Sequence, residues 1–255
     1  MAGGDTEIGG RDDRFPSTRM SAVREAASGD EACRQRAIGT LIAAYWKPAY
    51  KYVRLRWKAD NEQAKDLVQG FFAGALGRAT FARYDAGKGS FRTFLRHCLD
   101  DHVRDQRDAQ RAGKRGGGAA VLSLDFAGAE AELAHLEPRD REDLDACFQR
   151  EWVRQVFALA VDALRDLCAA QGKQGHFELF RRYDLEPDPG APPSYAALAA
   201  AAGLPVTQVT NHLAWARREF RRLVLDRLRE LTGSEAEFRE EARALLGITF
   251  EEPRP

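Results

Sequence analysis

From Ala32 the apolar positions fall into a helical rhythm and keep it through most of the chain. Ile38, Leu41, Ile42, Tyr45, Trp46, Tyr50, Val53 and Trp57 recur at three- and four-residue steps, predicting an amphipathic helix that Pro48 bends or restarts. Asp60, with Gln63 three positions on, predicts a capping box for a second helix carrying Leu67, Val68, Phe71, Phe72, Ala75 and Leu76 on one face. The run Tyr84-Asp85-Ala86-Gly87-Lys88-Gly89 predicts a tight turn. Ser90 then caps the clearest stripe of all: Phe91, Phe94, Leu95, Cys98, Leu99, His102 and Val103.

That third helix dissolves at Arg115-Gly116-Gly117-Gly118, which reads as a hinge. Val121–Asp125 is the best strand signal in the chain and it is short. Ser123 to about Asp145 reads as a mobile linker with some helix. Helical periodicity resumes near Ala146 through Trp152, Val153, Val156, Phe157, Leu164 and Leu167, followed by a short helix with Phe177, Leu179, Phe180 and Tyr183. Asp184–Pro193 has four prolines and reads as a loop. Two helices then start at Ser194 and near Pro205, and Glu235–Leu246 forms a last helical appendage. The expected class is all-α: two small helical domains joined by an acidic linker. The expected boundaries are a disordered tail at 1–28, domains at 29–115 and 146–232, a linker at 116–145, and an appendage at 233–255.

Composition narrows the function. The 255 residues are 44% hydrophobic and 31% charged, and no apolar run reaches the roughly 18 to 20 residues that span a bilayer. The first 13 residues are Gly-rich and acidic, unlike a secretory signal. Four cysteines (33, 98, 147, 168) sit in helical stripes without CxxC pairing, which argues against a zinc knuckle or a disulfide framework and fits a reducing cytoplasm. Five scattered histidines form no HxxxH or HExxH pattern, and no Rossmann, phosphate-loop or GxSxG motif is present. His102 lies on an apolar stripe, as a packed core histidine does. The reading is of a binding protein and not an enzyme, with no cofactor or metal.

Formal charge is zero, but it is unevenly laid out. Arg83–Arg115 holds nine basic and five acidic residues, Leu213–Arg229 six and two, and Ser123–Glu151 three and nine. Two segments of net +4 are therefore offset largely by a middle of net −6. Of 39 basic residues 32 are arginine, which suits forked phosphate contacts and equally a GC-rich genome.

Tyr195–Ala214 carries a helix-turn-helix pattern: small Ala199 where helices cross, Gly203 in the turn, branched Val209 on the second helix, with Leu198, Leu204 and Leu213 as core. Thr207, Gln208, Thr210 and Asn211 occupy exposed positions, and Arg217, Arg218, Arg221 and Arg222 continue the helix. Gln and Asn pair with adenine edges, while arginines hold phosphates or reach guanine. An ordinary helical hairpin with a polar face has the same outline without the basic continuation. The Phe91 helix turns Arg92, Arg96, Arg104, Arg107 and Arg111 away from its stripe, interleaved with Asp100, Asp101, Asp105 and Asp108. Beside the Tyr84 turn this suits single-stranded DNA; it also describes a common solvated helix face.

In order and spacing these modules resemble bacterial RNA polymerase sigma factors of the sigma-seventy family. The likeness is to the small extracytoplasmic-function type, which keeps only the second and fourth conserved regions. Asp66-Leu67-Val68-Gln69-Gly70-Phe71-Phe72 is similar to the polymerase-clamp helix, and Gly89-Ser90-Phe91-Arg92-Thr93-Phe94-Leu95 to the start of the promoter-melting helix. Ser194 to Arg218 resembles the fourth-region helix-turn-helix. The likeness covers about 32–115 and 146–230. It implies core RNA polymerase and promoter DNA as partners, with an anti-sigma or other regulatory protein as a third candidate.

Residue by residue, the resemblance implies that Asp66, Leu67, Gln69 and Phe71 dock on the clamp. Tyr84, Lys88, Arg92, Arg96, Arg104 and Arg107 would hold the melted minus-ten element around an extruded base. Thr207, Gln208, Thr210, Asn211, Arg217 and Arg218 would read the minus-thirty-five duplex. The acidic linker would thread a basic channel of the polymerase. Gly70 departs from the pattern, standing where the family often has an acidic residue. The appendage lies outside the minimal pattern, placed to bind a regulator or cover the DNA face. The rival reading is a stand-alone helix-turn-helix regulator with an N-terminal sensing or dimerising module.

Overall fold

The computed structural model describes residues 21–27, 29–75, 78–81, 83–112, 124–133, 143–186, 193–248 and 250. Among them the fold is all-α, with no strand. The glycine hinge at 116–118 lies outside the described residues, as do the tail before residue 21 and most of the predicted strand at 121–125.

The chain enters through a single turn, α1 (Ala22–Glu25), and turns into α2 (Glu31–Arg56). Asp30 caps α2 by accepting from the Ala32 and Cys33 amides at 2.9 and 3.1 Å. α2 runs unbroken past Pro48, so the helix does not restart there. Proline removes one amide donor, but Leu41, Tyr45, Ala49 and Val53 are all fully buried on the same helix, and that burial outweighs the missing bond.

α3 (Asn61–Gly70) starts with the predicted capping box: Gln63 donates its amide to Asp60 at 2.9 Å, and the Gln63 side chain accepts from the Asp60 amide. A π-helical turn over Phe71–Ala75 follows, which buries the adjacent Phe71 and Phe72 together. After the short α4 (Arg78–Phe81) and the turn at residues 83–89, α5 (Phe91–Arg111) begins on the Ser90 cap. Its buried stripe is the predicted one: Phe91, Leu95, Leu99 and Val103.

α6 (Phe126–Leu133) docks on α2, with Phe126 edge-on to Trp46 at 5.5 Å. α7 (Asp143–Ala170) is the long central helix, followed by α8 (Gln174–Phe180) and a second π-helical turn at Arg181–Leu185. Then come α9 (Tyr195–Ala202), α10 (Val206–Leu231) and α11 (Glu235–Leu246). Pro205 sits at the N-cap of α10, one place before the first turn that its ring geometry suits.

The apolar interior falls into two clusters. The larger gathers α1 to α6, the first half of α7, the last third of α10 and α11 around Tyr45, Phe91 and Trp152. The smaller is built from the end of α7, α8, α9 and the first half of α10. α7 and α10 each serve both, and Phe220 and Leu223 on α10 touch both.

Three sequence expectations need correction. Residues 21–27 are not a disordered tail: Ala22, Val23 and Ala26 are buried, and Ser21 donates its hydroxyl to the Thr232 carbonyl at 2.5 Å. Residues 126–133, placed in a mobile linker with some helix, form a helix docked on α2, because three cations and one hydroxyl of α2 face its two carboxylates. Tyr50 and Arg54 hold Glu130, and Lys47 and Lys51 hold Glu132 at 2.8 and 2.7 Å. The Arg54 guanidinium keeps the Glu130 carboxyl below its ordinary range. Finally, α11, placed as an appendage outside the two domains, has Phe238 and Ala242 fully buried in the larger cluster.

Candidate nucleic-acid interface

The α9–α10 pair is assembled by local chemistry. Ser194 caps α9 by accepting from the Ala197 amide at 3.1 Å. Gly203 ends it in the left-handed conformation at φ +64°, which a side chain rarely tolerates. Leu198, Ala199, Val209 and Leu213 are buried between the helices. Thr207, Gln208, Thr210 and Asn211 are all exposed on the first two turns of α10. Thr210 donates its hydroxyl back to the Val206 carbonyl at 3.0 Å, leaving Gln208 and Asn211 as the long polar side chains at this tip.

The basic continuation is less uniform than the sequence suggests. Arg218 is exposed, 3.9 Å from Glu219. Arg217 instead ties the second π-helical turn to α10. It donates to Asp184 at 2.9 Å, lies 5.2 Å from the Tyr183 ring and reaches the Tyr195 hydroxyl at 3.4 Å. The Asp184 carboxylate holds the Arg217 pKa above its ordinary range. Arg217 is thus a positioning residue here, an assignment that sequence spacing alone does not reveal. Behind the tip, His176 and His212 stack at 3.7 Å, and Lys173 lies 4.0 Å over Trp215.

The α5 face is largely engaged. Tyr84 donates its hydroxyl to Glu237 at 3.0 Å; burial, then this carboxylate, push its pKa up, so it remains a donor. Arg92 pairs with Glu241 at 2.6 Å and stacks 4.5 Å over Trp152. Arg96 pairs with Asp145 at 2.8 Å. Arg107 donates to the Trp57 carbonyl at 2.5 Å and lies 4.9 Å over the same indole. Lys88 (84% exposed), Arg104 (53%) and Arg111 (79%) point largely to solvent, each beside an aspartate of its own segment. Asp100, expected among the outward pairs, is buried and held by Trp57 at 2.9 Å and Tyr52 at 3.1 Å.

Of the four residues at the α3 end, Asp66 is exposed, and Leu67 and Gln69 are half-buried. Phe71 is fully buried, edge-on to Phe72 at 5.1 Å and against His102 at 5.7 Å. It supports the helix from inside and does not offer its ring to a partner. His102 sits as a packed histidine, and burial lowers its pKa.

Among the described residues no group of His, Cys, Asp and Glu side chains has metal-binding geometry, and no helix is long and apolar enough to cross a membrane. Glu237 and Glu241 are the residues that sequence reading passed over. Their signal was present: two glutamates four apart, on the same helical face as Phe238 and Ala242. Comparison of the chain with protein-family models, curated proteins and solved structures finds no match.

Proposed function

We propose that this chain is an RNA polymerase sigma factor that directs the core enzyme to promoters and helps to open them. The observation that carries the reading is the polar tip of α10, where Gln208 and Asn211 stand exposed on a helix fixed by the Gly203 turn. A helix so presented fits the major groove, and its amide side chains match adenine edges. The arginine-lined α5 beside the Tyr84 turn supplies the second nucleic-acid surface, for a strand already melted. Asp66, Leu67 and Gln69 form the surface offered to the polymerase. The reading contains no catalytic residue.

In vitro transcription with core polymerase tests it: the chain should confer selective start sites, mapped by primer extension. A chain that binds duplex yet confers no start-site selection on core polymerase refutes the sigma reading.

One observation favours a second reading, a stand-alone regulator that touches duplex alone. The α10 tip is open while the α5 face is engaged by Glu237, Glu241 and Asp145. Pull-down with core polymerase separates the two, since such a regulator need not bind the enzyme.

A further inference from the structure

The α5 face is met by acids from elsewhere in the chain, and two of them arrive on one helix. Glu237 accepts from three donors: the Phe91 amide at 2.7 Å, the Tyr84 hydroxyl at 3.0 Å and the Gly233 amide at 2.7 Å. The Phe91 amide is the first of α5, one of the orphan donors at the positive end of a 21-residue helix. One turn further along α11, Glu241 meets Arg92, whose guanidinium lies over the Trp152 ring. An amide at a helix N-terminus with a tyrosine hydroxyl, and a guanidinium backed by an indole, are both seats that suit a phosphate oxygen. Each is filled by a carboxylate.

We propose that α11 is a self-masking strap, whose Glu237 and Glu241 take the seats that α5 and the Tyr84 turn offer to the phosphates of a single strand. This rests on the reading of α5 as a strand-binding face.

The strap is built to lie close and to leave. Gly233 lets it approach the turn: a Cβ there would stand 2.3 Å from Tyr84 Cε1 and 2.8 Å from its hydroxyl. Ser21 and Arg24 fasten the same junction through the Thr232 and Gly233 carbonyls. Yet α11 fully buries only two apolar side chains, Phe238 and Ala242. Its Glu241–Arg92 ion pair is largely buried, 9% and 13% exposed, where desolvation offsets much of the attraction. Burial raises the Glu241 pKa, and the Arg92 guanidinium beside it opposes that rise. A polyanion delivering several phosphates at once is the competitor such a strap excludes at rest and yields to on engagement.

Two full-length variants open the strap by different means. Glu237→Gln with Glu241→Gln removes the mimicking charges. Gly233→Ala leaves charge unchanged and drives the Tyr84 ring and the strap apart. Circular dichroism checks the helical fold, amide exchange reports release of α11, and anisotropy of a labelled single-stranded DNA 20-mer reads affinity. Both variants should release α11 and bind the oligonucleotide at least tenfold tighter than the parent. Tightening by the double variant alone is a net-charge effect and overturns the proposal, as does failure of either variant to release α11. Equal affinity across all three proteins overturns the masking and leaves the strand-binding reading standing. No binding by any of them, with α11 released, overturns the strand-binding reading and the proposal with it.

Discussion

Lys51 of α2 and Glu151 of α7 form an ion pair at 2.5 Å with only 1% and 3% of their side chains exposed. Glu132 meets Lys51 from one side and Arg154 meets Glu151 from the other. Removing one member of a buried pair strands its partner's charge. Lys51→Met should therefore cost about 3 kcal/mol, toward the low end for such pairs because Arg154 stays. Lys51→Met combined with Glu151→Leu should recover most of that loss in urea denaturation; a double variant as weak as the single would contradict the pairing.

Under the proposed function, the tip of α10 separates reading from support. Gln208→Ala and Asn211→Ala should leave the melting temperature within a degree or two. In promoter-binding assays each should relax upstream-element choice by about 1 to 3 kcal/mol of discrimination. Arg217→Ala should behave differently, loosening the 181–185 turn and lowering stability before it changes sequence preference. Unaltered preference in both amide variants would remove the recognition assignment.

Gly203 has open space around its Cα and a left-handed backbone. Gly203→Ala should accordingly cost about 1 kcal/mol through conformation alone. Gly203→Asn should cost less, since asparagine tolerates that region better. Thermal unfolding of the two variants measures the difference.

At the end of α3, inside and outside can be told apart by mutation. Phe71→Ala should destabilise by about 3 to 5 kcal/mol, because the ring is fully buried. Under the proposed function, Asp66→Ala with Leu67→Ser should keep the fold and weaken polymerase capture in a pull-down. Retention of full capture would move the docking surface elsewhere.

Acid should weaken the fold through its histidines. Burial is the first cause lowering the His176 pKa, with the neighbouring His212 second, and burial likewise lowers that of His102 from the ordinary 6.5. Near pH 6.5 the unfolded chain then binds more protons than the folded one, so stability falls as pH drops. It should be fully present above about pH 6.5 and decline through the lowered native values, with His176→Gln flattening the slope. Denaturation midpoints between pH 5 and 8 give the profile.

Local signals carried the elements well. The Asp60–Gln63 box, the Ser90 and Ser194 caps, the Gly203 turn and the limits of α11 all follow from nearest neighbours in sequence, and so does the α5 stripe. A restart at Pro48 does not occur because the proline's effect is local while the burial that overrides it is not. Residues 21–27 hid because three apolar positions in one turn set no period. Nothing in the acidic run of 123–145 revealed that Glu130 and Glu132 meet cations 76 and 81 residues earlier. At the α5 face the pattern holds for the exposed Arg104 and Arg111, whereas Arg92, Arg96 and Arg107 are packed against other elements. It was silent on Glu237, Glu241 and Asp145, whose partners lie 49 to 153 residues away in sequence.

Because α7 and α10 are each continuous through both apolar clusters, neither cluster can melt without fraying a helix that the other depends on. Heating should accordingly produce a single sharp transition rather than two, and damage at Phe220, where the clusters touch, should be felt at both ends of the molecule.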